Sequence, residues 1–116
     1  MSEPARTQLL AAYADEHRDH LGALRALLAA GASGDLEDAY RHAHSLKGAA
    51  RAVNLAAVVH LAHALESLVE AWWEGRSQPD AETIRLAGDA LDAIEDLSAL
   101  LLAGQPAPQA IPPWPP

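Results

Sequence analysis

The sequence predicts an all-α protein, built as an antiparallel up-down four-helix bundle. Half of the 116 residues are hydrophobic, with no Phe and few β-branched or aromatic side chains, and this composition favours closely packed helices over sheets. Apolar residues also recur at three- and four-residue steps in four separate stretches, the pattern of amphipathic helices. The connections between these stretches are short, so consecutive helices should be antiparallel neighbours.

Residues that begin or end helices delimit the four elements. Ser2 can cap the first helix, Ser33 or Asp35 the second, and Asp80 the fourth. Glycines interrupt the pattern after the first, third and fourth helices. We therefore expect helices over residues 4–30, 35–53 and 55–74, and a fourth that follows Asp80 and ends near residue 103.

The last twelve residues differ from the rest of the chain. Residues 105–116 contain six prolines, which is typical of an extended, semi-rigid linker. We therefore assign residues 1–104 to one bundle domain and 105–116 to a linker. A chain that ends on such a linker is expected to be the front piece of a longer protein.

The overall composition argues against several classes of function. A net charge of −8 disfavours binding to nucleic acid or to an anionic membrane surface, which both require a basic face. The absence of Cys excludes disulfides and thiolate chemistry and fits a reducing compartment. No apolar run approaches the roughly 20 residues of a membrane span, and the acidic N-terminal region is unlike a signal peptide. We expect a cytoplasmic protein.

One histidine of the second predicted helix has unusual neighbours. Lys47 and Gly48 follow His44 by three and four residues, so all three share a helix face. Gly is less favourable than Ala in a helix by about 0.8–1.0 kcal/mol, which indicates that this position provides clearance beside the imidazole. Arg41 and Arg51 lie within about 60° of His44 on the same helical wheel. A cluster of cations in an acidic protein indicates that an anion binds near His44.

These residues carry a resemblance to a known family. The segment His44-Ser45-Leu46-Lys47-Gly48 resembles the H-x-L-K-G core of histidine phosphotransfer (HPt) domains, in particular the N-terminal phosphotransfer domain of CheA-type chemotaxis kinases, hybrid kinases included. His63-Ala64-Leu65-Glu66 is similar to the following helix of that family. The likeness covers about the first hundred residues and is most specific over 42–66. The family often has Gly where Asn54 stands, but Asn tolerates the left-handed conformation of a helix C-cap.

The resemblance implies that His44 is the phosphorylated residue and that Lys47, His63 and Glu66 support it. A carboxylate that accepts a hydrogen bond from the Nδ1–H of His44 would leave Nε2 as the nucleophile. Lys47 would balance the charge of the attached phosphoryl group. The sequence itself leaves two interpretations of His63 open: it forms a hydrogen bond at the site, or it only lies on the exposed rim of the bundle.

The same resemblance implies the partners. A kinase ATP-binding domain would phosphorylate His44, and a response-regulator receiver domain would take the phosphoryl group onto an aspartate, with Mg²⁺ held by the receiver. Arg41, Arg51 and the cleared position Gly48 would dock these partners. The sequence has no Gly-x-Gly-x-x-Gly motif and no phosphate-binding lysine loop, so we expect no cofactor in this domain. The domain by itself is then a phosphoryl carrier without an ATP site, and ATP and Mg²⁺ come from partner domains.

Two alternatives belong to other functional classes. The bundle could be a non-catalytic acidic module for protein interaction, in which His44 is a surface histidine and Glu66 an ordinary salt-bridge partner. It could also bind metal, because two pairs of histidines, His17/His20 and His60/His63, are spaced i, i+3. A dimetal bundle, however, requires inward Glu residues and Glu-x-x-His segments, which the sequence lacks. We expect no metal site.

Overall fold

Four helices form the part of the chain that the computed structural model describes, residues 2–106. The linker predicted for 105–116 lies almost wholly outside the described residues. Each predicted helix bound is correct to within one residue, and a 3₁₀ turn, Gly31–Ser33, joins the first two helices. None of the helices within 2–106 is long and apolar enough to cross a membrane. The helices are α1 Glu3–Ala30, α2 Leu36–Ala52, α3 Ala56–Trp73 and α4 Ala81–Leu102.

Side-chain caps fix where three of these helices start. The Ser2 hydroxyl accepts a hydrogen bond from a backbone N–H of the first turn of α1, and Asp35 does the same for α2. Asp80 and Thr83 form a reciprocal capping box at α4, and the backbone N–H of Thr83 holds the pKa of the Asp80 carboxyl below its ordinary value. Capping of α2 thus falls to Asp35, because the Ser33 hydroxyl donates instead to the carbonyl of Ala30.

The turn between α2 and α3 brings the two helices side by side. Asn54 adopts φ 57°, the left-handed conformation that a helix C-cap needs. The N–H of Asn54 donates to the carbonyl of Arg51 at 3.1 Å, and that of Leu55 donates to the carbonyl of Ala50 at 3.0 Å. The expectation that Asn serves here in place of Gly is therefore confirmed. The reversal sets residues of α2 opposite residues of α3 that lie about twenty positions later.

The helices enclose one core. Each packs against its neighbour in the chain and α4 packs back against α1, which is the up-down arrangement predicted. The α2 face in the core carries small side chains, so α3 approaches it closely. The fully buried or nearly buried apolar residues are Tyr13, Leu21, Leu24, Ala39, Ala43, Leu46, Ala50, Val53, Leu55, Ala57, Val58, Leu61, Ala62, Leu65, Val69, Trp72, Ala87, Ala90, Leu91 and Ile94.

Candidate functional site

His44 lies at the margin between the core face and the solvent face of α2. The adjacent Ala43 and the following Leu46 are fully buried, whereas the His44 side chain is 62% exposed. This is the consequence of a 3.6-residue period, which turns the position between two core residues away from the centre of the bundle. The imidazole is held by the helix yet open to an approaching partner.

Glu66 joins His44 and Lys47 across the seam between α2 and α3. One carboxylate oxygen, Oε2, lies 2.6 Å from Nδ1 of His44, and the other, Oε1, accepts a hydrogen bond from Nζ of Lys47 at 2.9 Å. The Glu66 side chain is only 9% exposed, and that of Lys47 is 14% exposed. Both oxygens of a buried carboxylate are therefore hydrogen-bonded to cationic or ionisable groups, as a buried charge requires.

The protonation of Glu66 follows from these contacts. Burial acts to raise the pKa of the carboxyl, but the hydrogen bonds from Lys47 and His44 outweigh it, and the pKa lies below the ordinary value. Glu66 is thus an anion at neutral pH and can only accept hydrogen bonds. The hydrogen of a neutral His44 ring must then reside on Nδ1, which leaves the lone pair on Nε2. The arrangement is chemically suited to nucleophilic attack by Nε2.

Gly48 provides open space beside this group. A Cβ added at Gly48 would meet no atom within 4 Å, so packing inside the domain does not require a glycine there. The clearance expected beside His44 therefore stays a prediction about an approaching partner.

The predicted docking cations lie on the same face of α2 but have different surroundings. Arg41 is exposed and donates to the Asp38 carboxylate at 3.3 Å. Arg51 is exposed near the other end of α2 and lines a groove of about 280 Å³. Lys47 also lines this groove, together with residues of α3.

His63 stands apart from the hydrogen-bonded group. It is exposed and lines the same groove as Lys47, with His60 beside it. Within residues 2–106 its side chain makes no hydrogen bond to His44, whose Nδ1 is taken by Glu66. The structure thus brings His44, Lys47 and Glu66 together and leaves His63 on the rim nearby, so a direct part for His63 stays a prediction.

Two aromatic residues that sequence reasoning did not assign to the site lie beside His44. The Tyr40 ring is stacked with the imidazole at a centroid distance of 6.2 Å and an interplanar angle of 17°. Trp73, the last residue of α3, lies 5.8 Å from the Tyr40 ring and is 48% exposed. The i, i+4 spacing of Tyr40 and His44 was a usable signal, whereas the approach of Trp73 depends on how α2 and α3 pack.

The remaining histidines make other contacts. The half-buried His17 bonds through Nδ1 to the backbone carbonyl of Tyr13 at 2.9 Å. Nδ1 of His20 lies 2.9 Å from Nδ1 of His42, linking α1 to α2. Over the described part of the chain, no group of three or more His, Asp or Glu side chains is arranged to hold a metal ion.

Comparison with known proteins identifies the family. The model of the family described as Hpt domain matches residues 8–100, which cover most of the four helices and every residue of the group around His44. Searches of curated proteins and of solved structures found no match to this chain. The fold, a bundle of four helices, is the one typical of the family. The chain therefore belongs to the Hpt domain family, the phosphotransfer modules of two-component signalling.

Proposed function

We propose that this domain is the phosphotransfer domain of a CheA-type chemotaxis kinase and that His44 is its phosphorylated residue. Hpt domains work with kinases and response regulators in phosphorelays. The similarity of residues 44–48 and 63–66 to the CheA-type motifs supports the narrower assignment. The observation that carries the proposal is the contact between Nδ1 of the exposed His44 and the buried, ionised Glu66.

The first reaction needs no proton transfer from the ring. The lone pair of Nε2 attacks the γ-phosphorus of ATP bound to the kinase domain, the N–P bond forms and the bond from phosphorus to the bridging oxygen breaks. ADP leaves with that electron pair. The ring keeps its hydrogen on Nδ1 and becomes positively charged, and the adjacent Glu66 carboxylate stabilises this charge as it develops. The negative phosphoryl group and the positive ring together carry one net negative charge.

The second reaction returns the ring to its starting state. A carboxylate oxygen of the receiver's aspartate attacks the phosphorus, the N–P bond breaks and its electron pair returns to Nε2. Mg²⁺ held by the receiver balances the charge on the phosphoryl oxygens. Glu66 keeps Nδ1 protonated throughout, so the same nitrogen is free at the start of each cycle.

Lys47 and the exposed cations of α2 supply the positive field for both reactions. Nζ of Lys47 is held on Glu66, one helical turn from His44, where its charge offsets that of an incoming phosphoryl group. Arg41 and Arg51 extend the basic face along the helix and would contact the acidic pocket of a receiver or the phosphates of bound ATP. The open surface at Gly48 lets either partner approach the imidazole.

Phosphorylation by a kinase tests the proposal. The protein is incubated with a CheA-type kinase ATP-binding domain and labelled ATP, and then with a chemotaxis response regulator. We expect an acid-labile, base-stable phosphate that His44→Gln abolishes and that the regulator removes. His60→Gln, a change of an exposed histidine in α3, is the matched control and should leave labelling intact. Label retained in His44→Gln would contradict the assignment of His44 as the phosphorylated residue, and no label in the natural sequence would favour the non-catalytic interaction module.

A further inference from the structure

The ring of His44 lies at the end of a row of three aromatic side chains. Tyr40 is half-buried one turn earlier in α2 and its ring is nearly parallel to the imidazole, at 17°. Trp73 of α3 packs against Tyr40 from the other helix at an angle of 44°. Both centroid distances, 6.2 and 5.8 Å, lie within the range in which aromatic pairs attract each other. Tyr40 is thus itself held in place by a second element.

The stack restrains an otherwise mobile side chain. His44 is 62% exposed, and its one hydrogen bond within the described residues is that from Nδ1 to Glu66. Rotation of the ring would break this bond and turn Nε2 away from its direction of attack. The near-parallel Tyr40 ring beside the imidazole, with its centroid 6.2 Å away, opposes such rotation. It does not block the reaction, because the lone pair of Nε2 lies in the plane of the imidazole and the His44 side chain is 62% exposed to an approaching donor.

The stack also becomes more favourable as the reaction proceeds. Phosphorylation turns the neutral imidazole into a cation, and its centroid, 6.2 Å from that of Tyr40, lies at the outer limit of the roughly 6 Å over which an aromatic ring attracts a cation. Interactions that strengthen as charge develops increase the rate of the chemical step rather than binding alone.

On these grounds we propose that Tyr40, backed by Trp73, is a positioning residue for phosphoryl transfer at His44, acting through the bond between His44 and Glu66. The inference rests on the proposed function and adds to the site a residue that lies outside the family-like segments 44–48 and 63–66. The contacts of Tyr40 with His44 and Trp73 are made by its aromatic ring, so the inference assigns the effect to the ring rather than to the hydroxyl.

Small-molecule phosphorylation separates positioning from docking. Phosphoramidate, whose nitrogen carries three hydrogens at neutral pH, serves as the donor: Nε2 attacks its phosphorus, the P–N bond of the donor breaks, and the nitrogen departs as ammonia with the electron pair of that bond. No protein partner takes part. Tyr40→Leu keeps apolar bulk without the flat ring and should lower the maximal rate by about two- to tenfold, with little change in the donor concentration at half-maximal rate. Tyr40→Phe should retain the natural rate.

A double-variant comparison tests the route of the effect. In a Glu66→Gln background, Tyr40→Leu should slow the reaction less than in the natural sequence, because the bond through which it acts is already weakened. Equal effects in both backgrounds would contradict the inference. So would a Tyr40→Leu protein that reacts normally with phosphoramidate but slowly with the kinase, which would show a docking residue. Slow reaction of Tyr40→Phe would overturn the assignment to the ring.

NMR of the unphosphorylated protein provides a measurement that does not depend on turnover. We expect ¹⁵N shifts of His44 to show a smaller Nδ1–H fraction in Tyr40→Leu than in the natural protein and in Tyr40→Phe. An unchanged fraction would contradict the inference. If the kinase leaves His44 unlabelled in the natural sequence, the proposed function fails, and this measurement still decides whether Tyr40 orients the ring. If Tyr40→Leu does not fold, Trp73→Leu at the exposed end of the stack should show the same changes in smaller measure.

Discussion

Nδ1 of His44 lies 2.6 Å from Oε2 of Glu66, although the two residues are 22 positions apart and belong to different helices. The same carboxylate accepts a hydrogen bond from Lys47 through its other oxygen. Glu66 therefore links the tautomer of an exposed imidazole to the charge of a nearly buried lysine.

Neutralising Glu66 should slow phosphorylation without unfolding the bundle. Glu66→Gln keeps the shape of the side chain but replaces a charge-assisted hydrogen bond with a neutral one. We expect the rate of His44 phosphorylation to fall about tenfold, equivalent to about 1.4 kcal/mol. Glu70 lies one turn later in α3 and its carboxylate is half-exposed, so Glu70→Gln is the matched control. Equal rates for Glu66→Gln and the natural protein would refute the proposed part of Glu66 in catalysis.

Removing the charge of Lys47 should affect Glu66 itself. The pKa of Glu66 lies below its ordinary value of 4.5, so this carboxylate stabilises the fold above that pH, and the stabilisation is lost as the pH falls through the folded-state pKa. In Lys47→Met the pKa of Glu66 should rise, since one bond that lowers it is gone. The free energy of unfolding at neutral pH should fall by about 1–3 kcal/mol.

Carboxyl ¹³C titration and urea unfolding measure the two effects of Lys47→Met. Arg51→Met removes an exposed cation from the same helix face and serves as the control. It should leave the Glu66 titration nearly unchanged. A Lys47→Met protein with the natural Glu66 titration would show that the hydrogen bond from Lys47 does not set the ionisation of this carboxylate.

Filling the space at Gly48 should separate stability from activity. Gly48 lies within α2, where Ala is more favourable by about 0.8–1.0 kcal/mol, and an added Cβ meets no atom within 4 Å. Gly48→Ala should therefore stabilise the domain against thermal unfolding but reduce phosphorylation by the kinase. Gly88→Ala, in an equally open position of α4, should stabilise without loss of activity. Full activity in Gly48→Ala would exclude a clearance function.

The histidine pair between α1 and α2 should make stability depend on pH. Burial lowers the pKa of His20 below 6.5, and the adjacent His42 lowers it further, against the opposing effect of Glu16 and Asp19 on α1. Asp38 of α2 faces the other nitrogen of His42 at 3.6 Å. As the pH falls, His20 therefore binds a proton at a higher pH in the unfolded chain than in the folded domain.

This order fixes the sign of the effect. The contribution of His20 to the free energy of unfolding should be constant above about pH 7. It should decrease as the pH falls below 6.5, and level off below the pKa of His20 in the folded state. Urea unfolding at pH 7.5 and 5.5 measures the decrease. His20→Gln should reduce it, whereas His60→Gln, at an exposed position of α3, should not. The same decrease in His20→Gln as in the natural protein would assign it to other groups.

Structural features that depend on residues close together in the sequence could be predicted from the sequence. The helix bounds, the caps Ser2, Asp35 and Asp80, and the left-handed Asn54 follow from local preferences and are found in the structure. The position of His44 at the margin of α2 follows equally from helical period.

Contacts between helices could be predicted only in part. Family motifs indicated that Glu66 supports His44, and the structure buries Glu66 beside that ring. The pairing of His20 with His42 and of Tyr40 with Trp73 depends on the axial register of neighbouring helices. Each helix repeats every 3.6 residues, so the sequence pattern fixes which face is inward but not which turns lie opposite each other. For the same reason the position of His63 on the rim was left open.

The most direct test of the account is to locate the phosphorus on the ring. The domain, labelled with ¹⁵N in histidine, is phosphorylated and its N–P connectivity is measured by NMR. We predict a phosphoryl group on Nε2 of His44, with a hydrogen retained on Nδ1 and directed to Glu66. Phosphorus on Nδ1, or on a residue other than His44, would contradict the account.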